Sequence, residues 1–90
     1  MATELTLLGE EPSAALVLRS TRHQPALLVQ GDTLSIATQA AEDMVDELKG
    51  GNVEDARHSA REVAEVLRQW LTSYERMMRA AGQELPYYKG

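Results

Sequence analysis

The sequence predicts an α+β fold: a small antiparallel sheet of two or three strands, followed by an antiparallel helical hairpin with a long C-terminal helix. Three observations predict it. Short apolar runs before residue 30 are separated by turn residues such as Pro12 and Pro25. Beyond Gly31 the apolar spacing changes to threes and fours, the period of an α-helix. The Gly50-Gly51 pair then interrupts that helical pattern.

The strand region covers 3–30. Residues 3–8 alternate, with Leu5 and Leu7 on one side and Glu4 and Thr6 on the other, as in a half-buried edge strand. A turn is expected over Gly9-Glu10-Glu11-Pro12-Ser13. Ala14 to Arg19 is apolar on both sides, which suits a central strand covered on each face. A polar loop with Arg19, Arg22 and His23 leads to a short third strand, Ala26 to Val29, and a meander is the simplest topology.

The first helix is expected over 33–49, capped by Asp32 or Thr33 and stopped by Gly50-Gly51. Its apolar stripe is Leu34, Ala37, Ala41, Met44, Val45 and Leu48. Asn52 is placed to cap the second helix, 53–81, whose seam runs from Val53 to Ala81 in strictly alternating steps of three and four. Gly82 ends it, and the tail 82–90 contains Leu85-Pro86-Tyr87-Tyr88. The tail is read as an extended segment that lays Leu85 and a Tyr on the core.

A three-residue link forces the two helices antiparallel. At 1.5 Å per residue they measure roughly 25 Å and 42 Å, so the second outruns the first beyond about Gln69. Trp70, Leu71, Tyr74, Met77 and Met78 then need cover from the strands or from a second copy of the chain. Trp70, Leu71, Tyr74 and Met78 are therefore candidate partner-binding residues. Arg57 and Arg61 are expected to neutralise Asp46 and Glu47 across the turn.

Ninety residues suffice for one small domain, 1–90. Cysteine is absent, which excludes disulfides and thiolate metal sites. Met1-Ala2-Thr3-Glu4 does not open like a secretory signal, and no apolar run has membrane-spanning length, so a cytoplasmic location is expected. The net charge of −5 disfavours nucleic acid and favours a basic partner. The acids concentrate on the first helix, where Glu42, Asp43, Asp46 and Glu47 join the candidate partner-binding set.

No residue pattern supports catalysis. His23 and His58 stand 35 positions apart, without the close spacing of metal ligands. The Gly31-Asp32-Thr33 turn opens a helix but lacks a phosphate-binding glycine motif, and Asp32 would repel a phosphate. Neither a cofactor nor a metal is expected. The residues that would serve a small anionic ligand are Arg19 and Arg22, with Asp32 at the turn.

The segment Arg22-His23-Gln24-Pro25-Ala26-Leu27-Leu28-Val29-Gln30-Gly31-Asp32-Thr33-Leu34 resembles a family of small uncharacterised bacterial proteins. Their signature is Pro-x-apolar-apolar-x-Gln-Gly-Asp-[Ser/Thr]-Leu, and a Leu-Pro-Tyr tail is matched by Leu85-Pro86-Tyr87. Ala26 stands where that family usually has Gly. The resemblance implies no particular activity and points to Gln30-Gly31-Asp32 as a place to look for function.

The expected function is a non-catalytic protein-binding module of bacterial type, such as an immunity or antitoxin-like acidic partner of a basic protein. A self-associating structural dimer and a sensor of a small anionic ligand are the alternatives.

Overall fold

A computed structural model describes residues 4–88. Three strands, β1 (Leu5–Glu11), β2 (Ala14–Arg19) and β3 (Ala26–Val29), precede two helices, α1 (Gly31–Lys49) and α2 (Val53–Ala80). The strands form an antiparallel meander in the order β1-β2-β3, with the apolar β2 in the centre. The predicted α+β class and element order are those observed; Thr3, placed in the first strand by sequence, lies outside the described residues.

β1 differs from its sequence reading. It continues through Gly9, Glu10 and Glu11, leaving only Pro12 and Ser13 as the turn. Leu7 pairs with Val17 and Gly9 with Leu16, so Leu8 is the extra residue of a bulge. The bulge reverses the pleat. Leu5 and Leu7, which alternation marks as the buried side, are each 59% exposed, while Leu8 packs against the core.

The chain clusters into two compact units. One joins the strands to Trp70 and the residues after it. Its core is Ala14, Leu16, Tyr74, Met77 and Met78, with Leu8, Leu27, Ala81 and Leu85 packed around it. Leu16 and Met78 are wholly buried. The Tyr74 hydroxyl donates to the Pro25 carbonyl at 2.9 Å, satisfying two polar groups inside this core. A Cβ on Gly9 would lie 3.3 Å from Met77 Cβ, so the strand approaches the helix as closely as a residue without a side chain allows.

The tail follows its sequence reading. Leu85 packs on the core, the Tyr87 ring stacks on Tyr74 at 6.5 Å, and the Tyr87 hydroxyl donates to Glu75 at 2.8 Å.

The other unit spans residues 30–69 and holds α1, the link and the first part of α2. The link uses one positive-φ glycine, Gly51 at φ 78°, whereas Gly50 stays in the right-handed region. Asn52 N–H donates to Glu47 O and Gly51 N–H to Leu48 O, closing the helix end. α2 ends the same way at Gly82, φ 69°, where Gln83 N–H donates to Met78 O and Gly82 N–H to Arg79 O.

The start of α1 departs from expectation. The helix opens at Gly31, and Gln30 occupies the cap position without a side-chain hydrogen bond. Asp32 and Thr33, the two expected caps, instead lie within the first turn, where the Asp32 carboxylate accepts from Thr33 N–H and favours the helix dipole.

Candidate functional site

The buried residues of the second unit are small. Ala37 and Ala40 on α1, and Ala56 and Ser59 on α2, are buried. The Ser59 hydroxyl donates to the Glu47 carboxylate at 2.7 Å, a partly buried bond between the helices. Glu47 is thus occupied within the hairpin and does not join its acidic neighbours at the surface. The expected pairing of Arg57 with Asp46 and Glu47 does not form. Arg57 reaches Glu54 on its own helix at 3.0 Å, because a one-turn separation is the nearer geometry.

Alanine and serine at the helix contact leave the larger apolar side chains outside it. On α1, Leu34 is 51% exposed, Val45 48% and Leu48 55%. On α2, Val53 is 55% exposed and Leu67 54%. Met44, Leu48, Val53, Ala56, Arg57 and Ala60 line one apolar groove, so residues of both helices open to the same side of the hairpin. Branched aliphatic side chains exposed to this extent, from two adjacent helices, are the usual mark of an interaction surface.

Charges flank this face. Glu42 and Asp46 are exposed on α1, while Arg57, Arg61 and Arg68 are exposed on α2. Asp43 is also exposed and accepts a hydrogen bond from Gln39 at 3.0 Å, around the helix from the apolar stripe.

The candidates on the overhanging end of α2 fare differently. Met78 has no exposed surface and Tyr74 is 9% exposed, because the sheet of their own chain covers them. Both are corrected from surface to core. Trp70 and Leu71 are half-buried in the same unit. The sequence showed that this segment required cover; the strands supply it for Tyr74, Met77 and Met78.

Of the residues proposed for a small ligand, Arg19 and Arg22 share the β2–β3 turn, where Arg22 N–H donates to Arg19 O at 3.0 Å. Their side chains are exposed, as is Asp32 in the other unit. His23 and His58 are exposed as well.

The exposed aliphatic face was legible only in part. Periodicity marks Leu34, Val45 and Leu48 as part of the apolar stripe of α1. What the periodicity did not reveal is that Ala37 and Ala40 are the buried residues of α1, while the larger Leu34, Val45 and Leu48 stay about half exposed.

A family of unknown function, DUF6959, matches residues 1–87, and the chain belongs to that family. That the family is uncharacterised agrees with what the resemblance implied. No curated protein and no solved structure matches the chain. Among the described residues, no helix is long and apolar enough to cross a membrane.

Proposed function

We propose that this member of the family works by binding protein rather than by catalysis, through the open apolar face of its helical hairpin. The observation that carries this reading is the exposure of Leu34, Val45, Leu48, Val53 and Leu67, each near half. Burying such a side chain is worth about 1.5–3 kcal/mol at full transfer. Even the exposed half of five therefore represents a substantial driving force for association. The acids on the outer side of α1 favour a partner with a basic surface opposite them. A cytoplasmic module of bacterial type is the setting we assign to it, on the resemblance of its Gln30-Gly31-Asp32 segment and on its acidic composition.

A photo-reactive benzophenone amino acid placed at Leu48 or Leu67 tests this in cells of the native host. Irradiation should give a discrete protein adduct from either position. The same group at Glu62, on the solvated side of α2, should give none. Absence of any adduct from both Leu48 and Leu67 would show that no protein occupies this face.

A further inference from the structure

The two helices carry the same apolar spacing. On α1 the open stripe is Leu34, Ala41, Val45 and Leu48, with steps of seven, four and three. On α2 it is Val53, Ala60, Ala64 and Leu67, again with steps of seven, four and three. At 3.6 residues per turn, each stripe lies about 80° around its helix from the buried small residues, Ala37 and Ala40 on α1 and Ala56 and Ser59 on α2, with the same hand. Helices that run in opposite directions convert equal rotations of one hand into a shared side. The groove that contains both Leu48 and Val53 meets that geometric requirement.

The flanks of this face are of opposite charge. Beyond the α1 stripe lie Glu42 and Asp46; beyond the α2 stripe lie Arg57, Arg61 and Arg68. Arg57 also holds Glu54 of its own helix. Counting outward from the link, Glu42 and Asp46 stand at the level of residues 59 and 55, on either side of Arg57 and close to Arg61. A basic partner would answer the α1 flank alone. A second copy turned about an axis parallel to the helices answers both, because it lays α1 of each chain over α2 of the other.

We infer that the face is covered by a second copy of this chain, the two hairpins stacking into a four-helix bundle with their Gly50-Gly51 links at the same end. This rests on the reading that the face binds protein, and names the protein. About 14 residues of each helix, ~21 Å long, and two helix widths of ~10 Å give a footprint of roughly 400 Å² per copy. With side-chain relief, the total area removed from water approaches the lower bound for specific interfaces, about 1,200 Å². The dimer is accordingly expected to be reversible.

Sedimentation equilibrium of the purified full chain, from low micromolar to several hundred micromolar, should give a mass rising to twice that of the monomer. Leu48→Glu combined with Leu67→Glu should hold the chain at monomer mass, with its far-ultraviolet circular dichroism unchanged because both positions are exposed. Glu42→Arg with Asp46→Arg should weaken the dimer about tenfold, and adding Arg57→Glu with Arg61→Glu should restore it. A wild-type chain that stays monomeric overturns the self-association. In that case cross-linked adducts at Leu48 whose added mass differs from that of the chain would keep the broader binding reading alive. A dimer that survives the two leucine changes excludes this face. A dimer strengthened by the acid-to-arginine changes excludes the α1-over-α2 arrangement.

Discussion

Arg76 on α2 grips Glu11 at the end of β1 with two hydrogen bonds, Nε to Oε2 at 2.6 Å and Nη2 to Oε1 at 2.8 Å. The residues are 65 positions apart, and the planar fork matches the carboxylate at both oxygens. Arg76 Nη2 also donates to the Ser73 hydroxyl oxygen at 3.4 Å. The pair fixes the extended end of β1, the part that sequence assigned to a turn, against the helix beneath it.

Acid should therefore weaken this unit in a defined window. The hydrogen bonds from Arg76, then that from Ser73, hold the Glu11 carboxyl down at about 2 against an ordinary 4.5. The unfolded chain takes up the proton first, so the stabilisation is complete above pH 4.5 and is lost as pH falls towards 2. Denaturant midpoints measured across this range should fall less steeply in Glu11→Gln than in the wild type. Parallel curves would mean that the pair contributes nothing.

Alkali should act through the tail. Burial, and then donation of its hydroxyl to the Glu75 carboxylate, pushes the Tyr87 phenol up from 10.0 to about 12. Its ring is 39% exposed, so solvent moderates the effect. Here the unfolded chain loses the proton first. The stabilisation is complete below pH 10.0 and disappears as pH approaches 12. Burial raises the Tyr74 phenol as well, so ultraviolet titration should show one fewer late-ionising tyrosine in Tyr87→Phe than in the wild type.

The two apolar surfaces of α2 should respond oppositely to truncation. Met78→Ala removes a fully buried side chain and should cost about 2–5 kcal/mol in chemical unfolding. Leu67→Ala, at an exposed position, should change monomer stability by no more than about 0.5 kcal/mol. A large cost at Leu67, measured on the monomer, would contradict the exposure assigned to it.

Gly9→Ala should destabilise by about 1–3 kcal/mol, because the new methyl would press on Met77 Cβ and Cγ at 3.3 Å. Met77 Cβ is fixed to the helix backbone and cannot move aside by changing rotamer. Gly31→Ala serves as the control, since a Cβ there meets nothing within 4 Å. Thermal unfolding of the two variants should separate them clearly, and equal melting temperatures would refute the close approach.

Much of the architecture was legible because it is local. The seam of α2, the glycines at 51 and 82, and the apolar β2 each express a preference of neighbouring residues, and each lies where periodicity placed it. Local rules failed where several positions compete for one role. Asp32 is a better cap by residue type than Gln30, yet the helix begins two residues earlier and uses Asp32 within it. Nor does alternation in Leu5-Thr6-Leu7 disclose a bulge at the next residue.

The sequence by itself determined the elements, their order, and the stretches of α1 and α2 that must be hidden from water. Tertiary structure alone decided what hides them. Apolar burial has no preferred direction or partner, so a stripe of side chains specifies a need without specifying its cover. The sheet closes over Tyr74 and Met78, whereas Leu48, Val53 and Leu67 stay more than half exposed on the helical hairpin. That division sets the surface through which the chain is proposed to act.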